Sequence, residues 1–456
     1  MEELIEVNPQ WLYRFNRSVP RYTSYPTAPQ FQPLNEEIYR NHLSRLGAEP
    51  LSLYIHIPFC RSMCLFCGCS VILNRNPEKQ KKYLDFLLQE IALVASHMEG
   101  KKSISQLHLG GGTPTSLNIA EFEILMQTLR RTFSFEPEAE ISIEIDPRTV
   151  YADEGDKLEA LRRIGFNRVS FGVQDLDPKV QEAVKRRQSE EMSRVTFEKA
   201  RELGFEGINI DLIYGLPFQT VASFSQTVDT IASWRPDRIA LFSYAKVPWL
   251  KPHQRAIPEE SLPSTEEKFE IYARARSQFM KKGYIAIGMD HFSLPEDPLS
   301  IGYTQGKLYR NFQGYSLGLA ENMVGLGVSS IGFVGQGYFQ NVKELDEYES
   351  CLTLGKIPLS RGLVLNEEDK RRRWVIQSWM CHFEVDKTEF QRQFSLPFDL
   401  HFSACRLALD ELIADGLVLA SEDRYTATPI GRLFIRLIAA AFDEYLTPTL
   451  QFSQSV

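Results

Sequence analysis

Three cysteines lie close together near the start of the chain. Cys60, Cys64 and Cys67 are spaced C-x3-C-x2-C within one short segment. Structural zinc sites and ordinary four-iron clusters take four protein ligands, so three thiolates leave one metal position open for chemistry. Spacing alone allows a zinc site completed by Cys69 or His56, or an iron–sulfur cluster with one accessible iron. Cys69 lies too near Cys67 to be a comfortable fourth ligand of a cluster.

The composition is that of a globular protein with two or three units. The chain has 456 residues, of which 43% are hydrophobic and 24% charged. The net charge of -8 gives no support to a general nucleic-acid role, and no apolar run approaches the length of a membrane span. Four of the seven cysteines crowd into residues 60–69, which indicates a metal site in a reducing compartment rather than a disulfide framework. Residues 1–6 lack the features of a secretory signal, so we expect a cytoplasmic protein.

Strand and helix patterns alternate from about residue 50 to residue 290. Several helical patterns end in glycine followed by an aromatic residue and a strand, as at Gly165, Gly204 and Gly283, which indicates a weak βα repeat. Successive βα units require a parallel sheet, and six or seven of them favour a barrel or partial barrel over an open sheet. The predicted strands, rich in Ile, Val, Leu and Phe, cover residues 51–57, 104–109, 140–145, 168–173, 207–213 and 237–244.

Polar or glycine-rich residues follow these strands, and the carboxyl ends of parallel strands are where active sites lie. We therefore expect them to line one pocket. In strand order they are the cysteine segment, the Gly110–Thr115 loop, Glu144 with Asp146, Gln174, Asp211 within the fifth strand, and Ala245 with Lys246.

The two ends of the chain follow other patterns. Residues 1–49 form an arm, residues 50–345 a barrel with its extension, and residues 346–456 a mainly helical domain. In the last region, helical patterns at 367–379, 401–415 and 430–443 flank a hairpin pattern at 417–426, which resembles a winged helix. The basic run 370–373 could contact nucleic acid, but the acidic run 367–369 just before it favours a solvated helix face.

The cysteine segment after a strand, with a triple-glycine loop after the next, resembles the radical S-adenosylmethionine (SAM) superfamily. That resemblance implies a four-iron cluster on three thiolates, whose fourth iron holds the amino and carboxylate groups of SAM. Longer motifs resemble the oxygen-independent coproporphyrinogen III oxidase (dehydrogenase) family of bacterial haem synthesis. They lie at residues 21–28 (RYTSYPTA), 54–69, 110–115, 209–217 (NIDLIYGLP), 288–292 (GMDHF), 310–315 (RNFQGY) and 431–436 (GRLFIR).

The resemblance implies a fold and an activity. The fold is α/β, a radical SAM partial (β/α)6-type barrel with an N-terminal arm and a mainly helical, winged-helix-like C-terminal domain. The activity is oxidative decarboxylation of two propionates of coproporphyrinogen III to vinyls, which yields protoporphyrinogen IX. A 5′-deoxyadenosyl radical derived from SAM removes a hydrogen from the propionate β-carbon. The family uses one [4Fe-4S] cluster, two SAM molecules and a low-potential electron donor, and leans toward monomers.

Residue roles carry over by motif. Cys60, Cys64 and Cys67 would bind the cluster. Without the resemblance, Arg186 is a typical surface charge, and Glu144 and Asp211 could equally be core carboxylates. The SAM on the open iron would contact Tyr54, Phe66, Gly111, Glu144 and Ile331. The second SAM would contact Gly112, Thr113, Gln174, Arg186, Asp211 and Ala245.

Two further points concern the family pattern and the substrate. Ser70 stands where the family commonly has Asn, which weakens the transfer of any role for that side chain. The substrate carries four carboxylates, so an acidic protein must supply local cations. The candidates are Arg14, Arg17, Arg21 and Arg310.

Two alternative functions remain at this stage. A haem-binding chaperone or haem-degrading relative would share the barrel and the cluster. The chaperones usually lack the Cys-Gly-Cys pairing at 67–69 and the RYTSYP motif of the arm, and both are present here.

A winged-helix nucleic-acid binder holding zinc would instead show stoichiometric zinc and salt-sensitive DNA binding.

Overall fold

The computed structural model describes residues 9–317, 320–447 and 452–454. The chain divides into two compact units, which we call the sheet unit and the three-segment unit. The sheet unit comprises Phe31–Asp211 and Leu319–Val364; the three-segment unit comprises Met1–Gln30, Leu212–Gly318 and Leu365–Val456. The sequence instead predicts three consecutive domains with boundaries at residues 49 and 345, and this division stays a prediction.

All six strands of the predicted βα repeat are present among the described residues. The third strand of the repeat, which begins at Ser134 instead of residue 140, is longer than predicted. Its first residues also pair in parallel with the second strand of the repeat, which begins at Ser103. In chain order the strands are β1 (Gln32–Pro33), β2 (Leu51–Ile57), β3 (Phe59–Cys60), β4 (Ile72–Leu73), β5 (Ser103–Gly111), β6 (Ser134–Ile145), β7 (Arg168–Gln174), β8 (Gly207–Tyr214), β9 (Arg238–Ser243), β10 (Ile285–Ile287), β11 (His291–Ser293), β12 (Leu308–Asn311), β13 (Gly314–Leu317), β14 (Met323–Leu326), β15 (Ile331–Val334), β16 (Gly337–Asn341), β17 (Leu359–Val364), β18 (Glu384–Asp386), β19 (Val418–Ala420) and β20 (Arg424–Ala427).

Helices alternate with these strands, as the repeat requires. No helix of the described residues is both long and apolar enough to cross a membrane. In chain order the α-helices are α1 (Pro9–Phe15), α2 (Glu36–Ser44), α3 (Pro77–Ser96), α4 (Ile119–Thr132), α5 (Pro147–Tyr151), α6 (Asp156–Ile164), α7 (Pro178–Ala183), α8 (Glu190–Glu202), α9 (Val221–Trp234), α10 (Thr265–Lys281), α11 (Pro298–Thr304), α12 (Leu345–Thr353), α13 (Glu367–His382), α14 (Lys387–Phe394), α15 (Phe398–His401), α16 (Arg406–Ala414), α17 (Pro429–Leu433) and α18 (Ile435–Ala440).

A mixed sheet forms the centre of the sheet unit. Its strand order is β1-β17-β16-β15-β14-β2-β5-β6-β7-β8, in which the neighbours from β14 to β7 pair in parallel. Leu53, Ile55 and Ile57 of β2 are fully buried, as expected for a strand covered on both faces. Because these strands are parallel, their carboxyl ends meet at one edge of the sheet.

Local signals begin and end helices where the sequence predicts. The Asn76 side chain caps α3 by accepting a hydrogen bond from the N–H of Glu78, with Pro77 in the first turn. Gly165 ends α6 with φ +115°, a left-handed conformation that glycine adopts without steric cost.

The three-segment unit contains smaller sheets. Strands β9, β11 and β10 pair in antiparallel fashion, β12 and β13 form a hairpin, and the predicted hairpin at 417–426 is present as β19 and β20, with β18 added. The prediction of continuous helices at 401–415 and 430–443 is wrong, because the helices break at Phe402 and Phe434. Tertiary packing explains the second break: the buried Phe434 ring packs against the rings of Phe15 and Phe269.

Candidate metal and cofactor site

The cysteine loop connects β2 to α3 in the sheet unit. Cys64 is 8% exposed, Cys60 and Cys67 are half-buried, and Cys69 is exposed. Burial raises the pKa of the Cys60 thiol to about 11, although the Thr113 hydroxyl acts in the opposite direction. A thiolate at this position therefore needs a positive counter-charge, which a bound metal centre supplies.

The hydrogen bonds of His56 argue against a zinc site completed by that residue. Among the described residues, no three His, Cys, Asp or Glu side chains are gathered closely enough to hold one metal ion. A cubane cluster has no such requirement, since each thiolate binds a different iron. His56, the other candidate zinc ligand, has both ring nitrogens occupied: Nε2 donates to the Ser70 carbonyl oxygen (2.9 Å), and Nδ1 accepts from the Tyr54 hydroxyl (3.0 Å).

The glycine loop after β5 packs directly on the cysteine loop. The Gly112 N–H donates to the Ile57 carbonyl oxygen at 2.8 Å. A Cβ atom at Gly112 would lie 2.5 Å from the Pro58 carbonyl oxygen, so only glycine permits this approach. The Thr113 hydroxyl consequently lies 3.3 Å from the Cys60 sulfur.

Glu144 places a carboxylate at the carboxyl end of β6. It accepts hydrogen bonds from the Gly111 N–H at 3.1 Å and from His108 Nε2 at 3.3 Å, and the other His108 nitrogen contacts the Ser142 hydroxyl. Burial acts to raise the pKa of Glu144, but the bonds from His108 and Gly111 outweigh it and keep the pKa below its ordinary value. The side chain is 41% exposed, so an ionised carboxylate is available to a cationic ligand such as an amino group.

Two arginines lie beside the buried cysteine. Arg186 Nη1 lies 3.6 Å and Arg148 Nη2 3.9 Å from the Cys64 sulfur, and both arginines pair with Asp146. Burial acts to raise the pKa of Asp146, but Arg186 and Arg148 lower it to about 2. Arg186 is 7% exposed, and its Nε has no hydrogen-bond partner among the described residues. The expectation of a surface charge from composition is therefore wrong for Arg186.

The remaining predicted contacts are spread over the two units. Asp211 accepts from the Ser170 hydroxyl (3.1 Å), and the Gln174 amide lies near Arg186 around Gly172. The Ile331 backbone packs on Gly325, which pairs with Tyr54 in the β14–β2 register. Phe66 is half-buried in the cysteine loop. Ala245 follows β9 in the three-segment unit, where its carbonyl oxygen accepts from Gln254.

Sequence reasoning missed two side chains of α3 that hold the site together. The Tyr83 hydroxyl donates to the His56 carbonyl oxygen (2.7 Å) and accepts from the Val328 N–H (3.1 Å). The fully buried Glu90 accepts from the Gly327 N–H (2.7 Å), the Asn341 amide (2.6 Å) and the Tyr348 hydroxyl (2.5 Å). Helix α3 thus fixes both the end of β2 and the 327–330 turn before Ile331. The one signal for Tyr83 and Glu90 in the sequence is that both carry polar groups at positions on the apolar face of α3.

We expect Glu90→Gln to change the free energy of unfolding by less than about 1 kcal/mol at pH 5, because the protonated carboxyl, like the amide, must present a donor to one of its three partners. Burial raises the pKa of Glu90 from 4.5 to about 7, so the folded protein holds this proton more tightly than the unfolded chain. This contribution to stability is full below pH 4.5 and is lost as the pH rises through about 7. Chemical denaturation at pH 5 and pH 8 should show that Glu90→Gln removes this pH-dependent part. Asp85→Asn, on the exposed face of α3, is the matched control. Identical pH dependence in Glu90→Gln and the parent would contradict this role.

The four arginines expected near the substrate have different surroundings in the three-segment unit. Arg14 and Arg17 are exposed, and Arg14 pairs with Asp415. Arg310 is 3% exposed and its guanidinium faces the Asp290 carboxylate, with both contacts at 3.4 Å. Arg21 lines a cavity. The basic run 370–373 includes Lys370, Arg371 and Arg372, each paired with a carboxylate of the same helix. Their side chains are only 33%, 24% and 14% exposed, so the prediction of a solvated helix face is wrong: this face is partly buried.

Comparison with known proteins defines first the class and then the family. Residues 54–231 match the family model of the radical SAM superfamily, so the class is that of enzymes using a [4Fe-4S] cluster and SAM. The chain is 44% identical to the oxygen-independent coproporphyrinogen III oxidase of Escherichia coli, with 97% of this chain and 96% of that one covered. It is 42% identical to the Synechocystis enzyme of the same name, covering 97% and 96%.

The solved structures agree with this relationship. The structure of coproporphyrinogen III oxidase (HemN) from Escherichia coli, described as a radical SAM enzyme, superposes with a TM-score of 0.91 at 42% identity, covering 97% of this chain and all of that one. The chain therefore belongs to the oxygen-independent coproporphyrinogen III oxidase family. The predicted family and fold class are confirmed.

Proposed function

We propose that this chain converts coproporphyrinogen III to protoporphyrinogen IX by oxidative decarboxylation of two propionates, as a step of anaerobic haem synthesis. One observation carries the proposal. A three-cysteine loop with an open metal position packs against a glycine loop and an ionised Glu144, in a chain that is 44% identical to a named oxidase over nearly its whole length.

The chain's own groups would bind and orient the cofactors. Cys60, Cys64 and Cys67 hold the cluster. When bound, the cluster reduces SAM and so supplies the 5′-deoxyadenosyl radical that takes a hydrogen atom from the substrate. The side-chain-free edge at Gly111 lets the amino-acid part of SAM approach the backbone closely, and Glu144 accepts hydrogen bonds from its amino group. Tyr54, Phe66 and Ile331 complete this first SAM site.

We also propose that the chain binds a second SAM molecule. Gly112, Thr113, Gln174, Arg186, Asp211 and Ala245 would bind it. The unpartnered Nε of the buried Arg186 supports this site, since a buried N–H donor is costly to leave without an acceptor. We further propose a cytoplasmic monomer that receives electrons from a low-potential donor.

Anaerobic reconstitution with iron and sulfide, followed by SAM and coproporphyrinogen III, tests the proposal. Mass spectrometry of the tetrapyrrole should show the loss of two formic-acid equivalents, with methionine and 5′-deoxyadenosine as the other products. A reconstituted protein that binds haem tightly and forms no vinyl groups would instead be a haem-handling relative. Quantifying 5′-deoxyadenosine per vinyl formed checks the count of SAM molecules.

A further inference from the structure

The three-segment unit contains a cavity with basic walls. Its volume is about 30 Å³, and it is partly open to solvent. Its lining includes Arg21, Arg436, Asp290, Tyr214 and Tyr272. Tyr214 ends β8, and the Ser243 that also lines the cavity ends β9. The cavity therefore lies at the carboxyl ends of these two strands.

Neither arginine of the cavity wall forms an ion pair with a carboxylate among the described residues. Arg21 makes one side-chain hydrogen bond there, from Nη2 to the Ser243 carbonyl oxygen at 2.8 Å, so most of its five donors remain available. Arg436 is 4% exposed and donates to neutral acceptors, including the carbonyl oxygens of Pro20 (3.0 Å) and Gln454 (2.7 Å). Its positive charge is hydrogen-bonded but not neutralised.

A third basic side chain, Lys268 of α10, lies near the two arginines. Its Nζ lies 5.8 Å from the centre of the Tyr214 ring and donates to the Tyr244 carbonyl oxygen. Burial, and then the charges of Arg21 and Arg436, lower the pKa of Lys268 to about 7. Burial and Arg21 likewise lower the pKa of Arg436 to about 9. These three groups therefore repel one another inside the unit.

The one carboxylate of the lining, Asp290, attracts Arg21 but balances only part of these charges. Asp290 is 5% exposed and is already engaged by Arg310, at 3.4 Å from each terminal nitrogen, and by His291 Nδ1 at 2.7 Å. An anion in the cavity would relieve the repulsion among Arg21, Arg436 and Lys268. An arginine with unused donors suits a planar carboxylate, which it binds through two parallel hydrogen bonds.

We propose that this cavity binds one propionate carboxylate of the porphyrinogen, with Arg21 as its direct partner and Arg436 and Lys268 supplying attraction through their charge. The inference rests on the proposed function, since that function supplies a ligand with four carboxylates. The stacked rings of Tyr214 and Tyr272, 5.2 Å apart, form an apolar wall beside the carboxylate site.

Anaerobic binding measurements on Arg21→Gln test the proposal. We expect its Kd for coproporphyrinogen III to rise about 10- to 100-fold, the range for losing a charge-assisted hydrogen bond. Its Kd for SAM should not change. The tetramethyl ester of coproporphyrinogen III, which lacks carboxylates, should bind Arg21→Gln and the parent equally. Arg274→Gln, an exposed arginine on α10, is the matched control and should bind like the parent.

The outcomes separate this inference from the proposed function. If the parent converts coproporphyrinogen III and Arg21→Gln binds it as tightly, the carboxylate site is wrong while the function stands. The site is also wrong if Arg21→Gln weakens binding of the ester equally, because the residue then acts through the fold.

If the parent neither binds nor converts the porphyrinogen, the proposed function fails. Sodium propionate then tests the cavity alone: it should raise the Tm of the parent but not of Arg21→Gln, and no rise in the parent overturns the site.

Lys268→Met offers a second test should Arg21→Gln not fold. It removes a cation that has no direct contact with the ligand in the proposal. We therefore expect a smaller rise in the Kd for coproporphyrinogen III, about 3- to 10-fold, corresponding to about 1 kcal/mol. No rise would contradict the cavity as a cationic site.

Discussion

Cys64→Ala is expected to abolish cluster assembly and, with it, all cleavage of SAM. Cys64 is the most buried of the three proposed ligand cysteines, and its sulfur is flanked by the Arg186 and Arg148 guanidinium groups. Removing it leaves two thiolates for a cluster that needs three. Iron and sulfide content, the electron paramagnetic resonance signal of the reduced protein and the yield of 5′-deoxyadenosine measure the effect.

Cys69→Ala is the matched control for Cys64→Ala. Cys69 is exposed and lies two positions after Cys67 in the same loop. We expect its variant to retain about the same iron and sulfide as the parent. A Cys64→Ala protein with full iron content, or a Cys69→Ala protein with none, would show that the ligand set is wrong.

Asp290→Ala is expected to lower the free energy of unfolding by about 3–5 kcal/mol, because it leaves the buried Arg310 without its counter-charge. Arg310 is 3% exposed, and its guanidinium also lies over the Tyr315 ring at 4.5 Å. Burial acts to raise the pKa of Asp290, but Arg310 and His291 hold it well below its ordinary value of 3.8. The stabilisation is therefore present above pH 3.8 and is lost as the pH falls below it.

Denaturant unfolding at neutral pH measures this loss, with Asp229→Ala as the control. Asp229 pairs with Lys282 on the surface of the same unit, and both side chains are at least 50% exposed, so its loss should cost less than about 1 kcal/mol. The double variant Asp290→Ala/Arg310→Met should recover part of the stability, since it removes both buried charges. Equal losses in Asp290→Ala and Asp229→Ala would contradict the buried pair.

Features that depend on neighbours along the chain could be predicted before the structure. The C-x3-C-x2-C spacing, the six strands and the Asn76 and Gly165 helix caps all arise within a few residues of each other. The approach of successive loops at the strand ends was also predictable, because parallel strands bring these loops to one edge. The Cys60–Thr113 and Glu144–Gly111 contacts are its direct result.

Other features depend on residues far apart in the sequence and could not be predicted from it. Glu90 meets Gly327 across 237 positions, and Arg186 meets Cys64 across 122. Arg310, a candidate substrate contact from the sequence, is buried and pairs with Asp290, 20 positions away. This pairing also depends on the fold.

The sequence by itself determined the candidate ligand cysteines, the order of the strands along the chain and the family, because spacing and periodicity are local properties. Only the tertiary structure decided which charges are neutralised and which are left in excess, as at Arg21 and Arg436. The physical reason is that burial and charge pairing depend on the neighbours of a side chain in space, and a single sequence does not name those neighbours.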